Sequence, residues 1–236
     1  MSYTYYTIFG VIPSIIWLLY YLRKDKQPES NSMVLRIFFY GMLIAVPTVL
    51  VEMGILKELT NLKINPFYLS LLNIFVAVAF IEEFMKYLVV REKVLKHHEF
   101  DEPTDAMIYM IISALGFAAS ENILMLFSLG PVFVLQDTVS LSAFRFVGAT
   151  FLHALASGSL GFFLAFSLYK YKSKFLLTLL GLGISTLLHG IYNFSIIKMD
   201  ELSGFFIPLI VLTGLAIFVS LGFRRLKKIK SVCKIY

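Results

Sequence analysis

The chain of 236 residues is 58% hydrophobic and only 15% charged, more apolar surface than one soluble core of that length buries, which excludes an ordinary soluble domain. Its formal charge of +6 does not point to nucleic acid, because the basic residues sit in short runs at the ends of apolar segments, where they orient helices and meet anionic lipid. The one cysteine, Cys233, excludes an internal disulfide and a cysteine-cluster metal site.

Apolar stretches at about 3–22, 33–56, 67–90, 106–129, 139–169, 175–197 and 204–223 each approach or exceed the roughly 17–25 residues that cross a bilayer. The short alternating segments of a β-barrel are absent. The fold class predicted is an all-α, polytopic integral membrane bundle of about seven helices. It forms one transmembrane domain over 1–236, with a motif-bearing core at about 67–197 and a basic tail at 224–236 that anchors to anionic lipid. The first span lacks a charged leader and is followed by Arg23, Lys24 and Lys26, which fits an uncleaved helix with its N-terminus outside the cell membrane. With that orientation 15 basic residues fall on the cytoplasmic side and three, Lys57, Lys63 and Lys198, outside, so the C-terminus is cytoplasmic. The 139–169 stretch is long enough to be tilted, broken or extended into water.

Within the third span, IEEFMKY at 81–87 sets Glu82, Glu83 and Lys86 into apolar surroundings. Each ionised group there costs at least about 2.5–3.5 kcal/mol, so the three need partners and mark a functional site by default. Glu82 and Lys86 stack one helical turn apart, leaving Glu83 turned by about 100°. The fourth span adds Glu121 and Asn122, the fifth His153, the sixth His189 and Asn193. Counted from the basic ends of their spans at about 1.5 Å per residue, Glu121 and His189 lie roughly 21–23 Å deep but Glu82 and Glu83 only about 10–12 Å. That mismatch argues against one compact site unless the third helix continues through REKVLKHH. Small residues at Gly116, Ala118, Ala119 and Ser120, from Ala154 to Gly161, and at Gly181, Gly183 and Ser185 let these same helices approach closely. Thr104 and Asp105 are read as an N-terminal cap behind Pro103. Arg145 is read as an interface anchor that snorkels outward, and the adjacent His97 and His98 as a solvated loop.

In order along the chain, EEFMK, GFAASEN, the HALASG begun by His153, and HGIYN resemble the EExxK, FxxxEN, HAxxSG and HxxxN motifs of PrsW intramembrane proteases. These proteases are relatives of the prenyl-processing (CAAX) and bacteriocin-processing (Abi) membrane endopeptidases. The resemblance covers about residues 80–195. It implies hydrolysis of a peptide bond in or beside the membrane, in a single-pass membrane protein such as an anti-sigma factor. Carried over by motif, Glu82, Glu83, Lys86, Glu121, Asn122, His153, His189 and Asn193 are the implied catalytic set. Lys86 and Glu121 depart from the EExxxR and FxxxH of the prenyl-processing enzymes, which argues against a prenylated substrate. Intramembrane carboxylates and histidines also build ion or proton-coupled transporters and channels, and a non-catalytic scaffold could retain the motifs. His153 and His189 with Glu121, or with Glu82 or Glu83, could bind a divalent metal such as zinc. The ligands come singly from separate helices, however, so spacing lends metal no support. A glutamate-activated water, with the histidines and Asn193 as hydrogen-bond donors, is the preferred sequence reading.

Overall fold

The computed structural model describes residues 3–24, 27–128, 135–169 and 174–229. Cys233, Lys26, Lys170, Lys172 and the tail beyond 229 lie outside the described residues. The described chain is helical without strands: α1 (Tyr3–Leu22), α2 (Asn31–Asn61), α3 (Pro66–Leu72), a π-helical segment (Asn73–Phe80), α4 (Ile81–Lys93), α5 (Pro103–Ser128), α6 (Leu135–Val147), α7 (Ala149–Tyr169), α8 (Lys174–Lys198) and α9 (Glu201–Leu226). Among the described residues seven helical runs are long and apolar enough to cross a membrane. α3, the π-helical segment and α4 make one continuous run, and α6 with α7 another, broken at Gly148.

α5 is the centre of the bundle and packs against α1, α2, α4 and α7. From Ala106 to Ala119 its residues are apolar or small all round, and every side chain from Pro103 to Ala119 is buried, as expected for a stretch without a solvent or lipid face. The small residues place backbones in direct contact. A Cβ on Gly116 would run into the Phe38 carbonyl of α2, and one on Gly161 into the Ala106 backbone, so the α2–α5 and α5–α7 approaches depend on these glycines. Gly183, by contrast, faces open space. The apolar side chains that remain exposed, such as Leu35, Phe39, Leu43 and Leu50 along α2, form a face suited to acyl chains.

The caps differ in part from expectation. Ser30 caps α2 by accepting from the Met33 N–H at 3.1 Å, and donates to Glu99 at 2.7 Å. Asp200 caps α9, and its hydrogen bond from Ser203 holds its carboxyl below the usual range. At α5 neither Thr104 nor Asp105 is the cap, since Pro103 already occupies the first helical position. Asp105 instead reaches back from the first turn to accept from the Glu102 and Asp101 N–H groups at 2.7 and 2.9 Å, the return half of a capping box.

Candidate active site at the centre of the bundle

Four helices deliver polar side chains to one buried point. α4 begins directly after the π-helical segment, whose wider turn shifts the helical phase; such segments recur at functional sites. From α4, Glu82, Glu83 and Lys86 all face inward and are buried. The Lys86 ammonium donates to Glu82 Oε2 at 3.0 Å and Glu83 Oε1 at 2.9 Å, and lies 2.8 Å from His153 Nδ1. Phe117 presents its ring face 4.5 Å from the same ammonium, a cation–π contact in a desolvated setting. From α8, His189 Nδ1 lies 3.1 Å from Glu83 Oε1, and from α7 the Ser157 hydroxyl donates to Glu83 Oε2 at 2.7 Å. Both oxygens of Glu83 are thus engaged.

The two histidines share one pattern. His189 has Nδ1 on Glu83, while its Nε2 lies 3.9 Å from Glu82 Oε2. His153 has Nε2 2.6 Å from Glu121 Oε2, out of line for a hydrogen bond, and its Nδ1 lies 3.6 Å from Glu82 Oε2. Each imidazole therefore leans on one outer carboxylate and turns its other nitrogen toward Glu82. The rings stand edge to face, with centroids 5.1 Å apart. The Phe75 ring of the π-helical segment packs where a Cβ on Gly190 would be, which explains why a glycine must follow His189.

The donor atoms of Glu82, His153 and His189 all lie within 4.8 Å of one another. Two imidazoles and a carboxylate are the donor set of one class of catalytic zinc site, in which three protein ligands leave a position for water. Donors at about 2.0–2.2 Å from a tetrahedral metal stand about 3.3–3.6 Å apart, close to the two separations to Glu82. The residues present fit a divalent metal. Glu121, the carboxylate expected beside the histidines as a ligand, stands behind His153 instead.

Depth counting had argued against such a meeting. The basic ends of the helices do not lie in one plane: α5 starts among buried groups, with Tyr109 hydrogen-bonded to Glu29 and Phe100 folded beneath it. α4 also continues to Lys93. Distances measured from hydropathy boundaries therefore misjudged relative height.

Two expected site residues stand apart from the cluster. Asn122, one residue on from Glu121 and so turned about 100° around α5, donates to the Gly10 carbonyl at 3.2 Å and Thr150 Oγ1 at 3.1 Å. Asn193 is half-buried one turn beyond His189 and makes no side-chain hydrogen bond among the described residues. Arg145 does not snorkel. The break at Gly148 and the bonds from Trp17 to the Phe146 carbonyl and from Ser142 to the Phe9 carbonyl, both 2.8 Å, hold α6 against α1. Arg145 consequently turns inward, bonding Asn122 and pairing with Glu121 at 3.7 Å.

Sequence reasoning passed over Ser157 and Glu52. Ser157 lies four residues after His153, hence on its face, and that spacing was readable. Glu52, a lone acid in the second apolar run, is half-buried within electrostatic range of Glu82, Glu121 and Lys86, with Oε1 buried and unbonded. The rule that an intramembrane acid is functional until shown otherwise would have flagged it.

The sequence profile of the PrsW family, described as intramembrane metalloproteases, matches residues 29–221. The chain is 32% identical to Protease PrsW of Bacillus subtilis (strain 168), over 94% of each protein. It is 30% identical to Protease PrsW of Geobacillus kaustophilus (strain HTA426), over 81% of this chain and 80% of the relative. Against Protease PrsW of Oceanobacillus iheyensis the identity is 31%, over 86% and 88%. No solved structure matches the chain. The metalloprotease description weighs against the metal-free reading preferred from spacing, and the donor set that closes around Glu82 agrees with it. With most of its length matched and seven helices fit to cross a bilayer, this integral membrane protein belongs to the PrsW family of intramembrane metalloproteases.

Proposed function

We propose that the chain is an endopeptidase that hydrolyses a peptide bond in or beside the membrane, in a single-pass membrane protein, using the cluster around Lys86. The observation that carries this reading is the convergence of Glu82, Glu83, His153 and His189 from three helices on one buried ammonium. Burying that many ionisable groups is costly, and packing alone gives no return for it. We assign zinc as the metal, held by Glu82, His153 and His189; bound there, it would polarise the scissile carbonyl and make a water acidic.

The protein's own groups hold and orient these three ligands. Glu83, saturated by Lys86, Ser157 and His189, orients His189 and holds the site together. Glu121 is the most exposed carboxylate of the set, its side chain 27% accessible. It stands behind His153 and supports that imidazole as an outer carboxylate. Arg145, bonded to Asn122, pairs with Glu121 and holds it beside His153. Asn193 lines the outward side of His189 and binds substrate backbone.

Purified protein in detergent should cleave members of a panel of transmembrane peptides, and reconstituted vesicles should show no ion or proton flux. Flux without cleavage would establish the transporter reading instead, and neither activity the scaffold reading. We further infer one transmembrane domain with the N-terminus outside, the C-terminus cytoplasmic and the basic tail from 224 onward on anionic lipid. Single-cysteine labelling should find residues 94–102 protected from an external reagent and residues 62–65 modified; both ends reacting on one face would reject this orientation.

A further inference from the structure

α1 and α9 make no extensive contact with each other, and where their basic ends diverge they enclose a crevice of about 460 Å³. α1 and the turn after it contribute Trp17, Tyr20, Tyr21 and Lys24, and α9 and its C-cap contribute Ser220, Phe223, Arg224 and Lys227, with Phe151 of α7 as the floor. Its volume falls within the roughly 300–1,000 Å³ of small-ligand sites. Three cations line the crevice and no carboxylate does. Lys24 rests 4.6 Å over the Tyr20 ring, and none of the three is ion-paired among the described residues. The aromatic wall is fixed in place: Trp17 donates to the Phe146 carbonyl at 2.8 Å and stacks on Phe151 at 4.0 Å.

An apolar groove of about 540 Å³ continues from the crevice toward the bilayer interior, sharing Phe151, Ala216, Ser220 and Arg224 with it and running past Val147 and Leu209. A cationic, aromatic-walled chamber at the membrane surface that opens into an apolar channel matches one ligand chemistry, a phosphate ester carrying an acyl chain. A free phosphate would leave the groove unused. A single-pass helix commonly carries Lys or Arg at its cytoplasmic end, which these three cations would repel.

We propose that the crevice between the basic ends of α1 and α9 is a binding site for an anionic phospholipid, with its phosphate on Lys24, Arg224 and Lys227 and one acyl chain in the adjoining groove. The site is separate from the catalytic cluster and does not depend on the proteolytic reading. Basic residues near a membrane surface contribute about fivefold each to anionic lipid affinity, so three give a preference of about a hundredfold at low salt.

Native mass spectrometry of the full-length protein in neutral detergent, titrated with phosphatidylglycerol, phosphatidylcholine or inorganic phosphate, tests this. Phosphatidylglycerol should bind about a hundredfold more tightly than phosphatidylcholine, and equimolar phosphate should not displace it. The triple variant Lys24→Gln, Arg224→Gln, Lys227→Gln should lose the preference, and Ser220→Trp, which fills the chamber without changing charge, should lose it too. Removing the same charge elsewhere, with Arg91→Gln, Lys93→Gln and Lys96→Gln, should leave affinity within about twofold. Should the first triple variant fail to fold, the Ser220→Trp result decides. Equal binding of the two lipids, displacement by phosphate, retained binding in Ser220→Trp, or equal loss in the control triple would each overturn the proposal.

Discussion

Glu82→Gln, which takes the carboxylate ligand from the proposed metal site, is expected to lower peptide cleavage by more than about 100-fold, beyond the roughly 10–100-fold cost of losing an outer partner, with helicity and extracted yield close to those of the parent protein. The amide is nearly isosteric, and Lys86 keeps Glu83 as its counterion at 2.9 Å, so charge changes more than packing. Glu83→Gln should lose activity to a similar degree but also some stability. Both oxygens of Glu83 already accept, from Lys86, Ser157 and the His189 side, and an amide nitrogen cannot replace either. Lys86→Ala is the variant expected to fail as a fold. It leaves two buried carboxylates side by side without their cation, and breaking a buried pair by removing one partner costs about 3–5 kcal/mol. Thermal unfolding in detergent separates these outcomes from loss of chemistry. Full activity in both glutamine variants, or a Lys86→Ala protein as stable as the parent, would refute this division of labour.

The parts of the molecule that were legible in the sequence are those governed by local physics. Helix count and approximate ends follow from hydropathy because each span must satisfy its backbone internally. Gly116 and Gly161 announced close packing because a missing Cβ has an immediate steric meaning. Glu82, Glu83, Lys86, His153 and His189 stood out because charge is costly in lipid. Relative height and rotation were not legible, since both depend on where neighbouring helices start. The buried foot of α5 and the break at Gly148 altered both. Arg145 illustrates the consequence: near the end of an apolar run it reads as a snorkelling anchor, and only the docking of α6 on α1 turns it toward Glu121. Asn122 shows the same: turned about 100° from Glu121, it bonds Gly10 and Thr150, and Arg145, which contacts both, is what links it to the cluster.

Bound metal gives the other large effect. Detergent-purified protein is expected to carry one zinc per chain, and chelation should abolish cleavage that added zinc restores. Each histidine is held as a metal ligand would be. Histidine ligands commonly give their second nitrogen to an outer carboxylate, which fixes the tautomer and raises basicity; here His189 leans on Glu83 and His153 on Glu121, while their other nitrogens turn to Glu82. Separate helices supply the three donors, so no sequence spacing announces them. A ranked outcome follows. His153→Ala and His189→Ala should each remove stoichiometric zinc from the purified protein, because two remaining ligands do not hold it. Glu121→Gln should keep the site but weaken zinc affinity by about 10–100-fold, the usual cost of losing an outer partner. Lys86 bears on the same measurement. Its ammonium contacts Glu82 and His153 at 3.0 and 2.8 Å, so a cation already suits this donor set, and the lysine and a metal would compete for the same two groups. Competition between the two predicts that Lys86→Met, destabilised like Lys86→Ala when zinc is absent, regains stability on added zinc and binds it at least as tightly as the parent while cleaving poorly. Metal analysis and cleavage rates on the same preparations decide the matter: a metal-free protein that cleaves at the full rate after exhaustive chelation would return the chemistry to a glutamate-activated water.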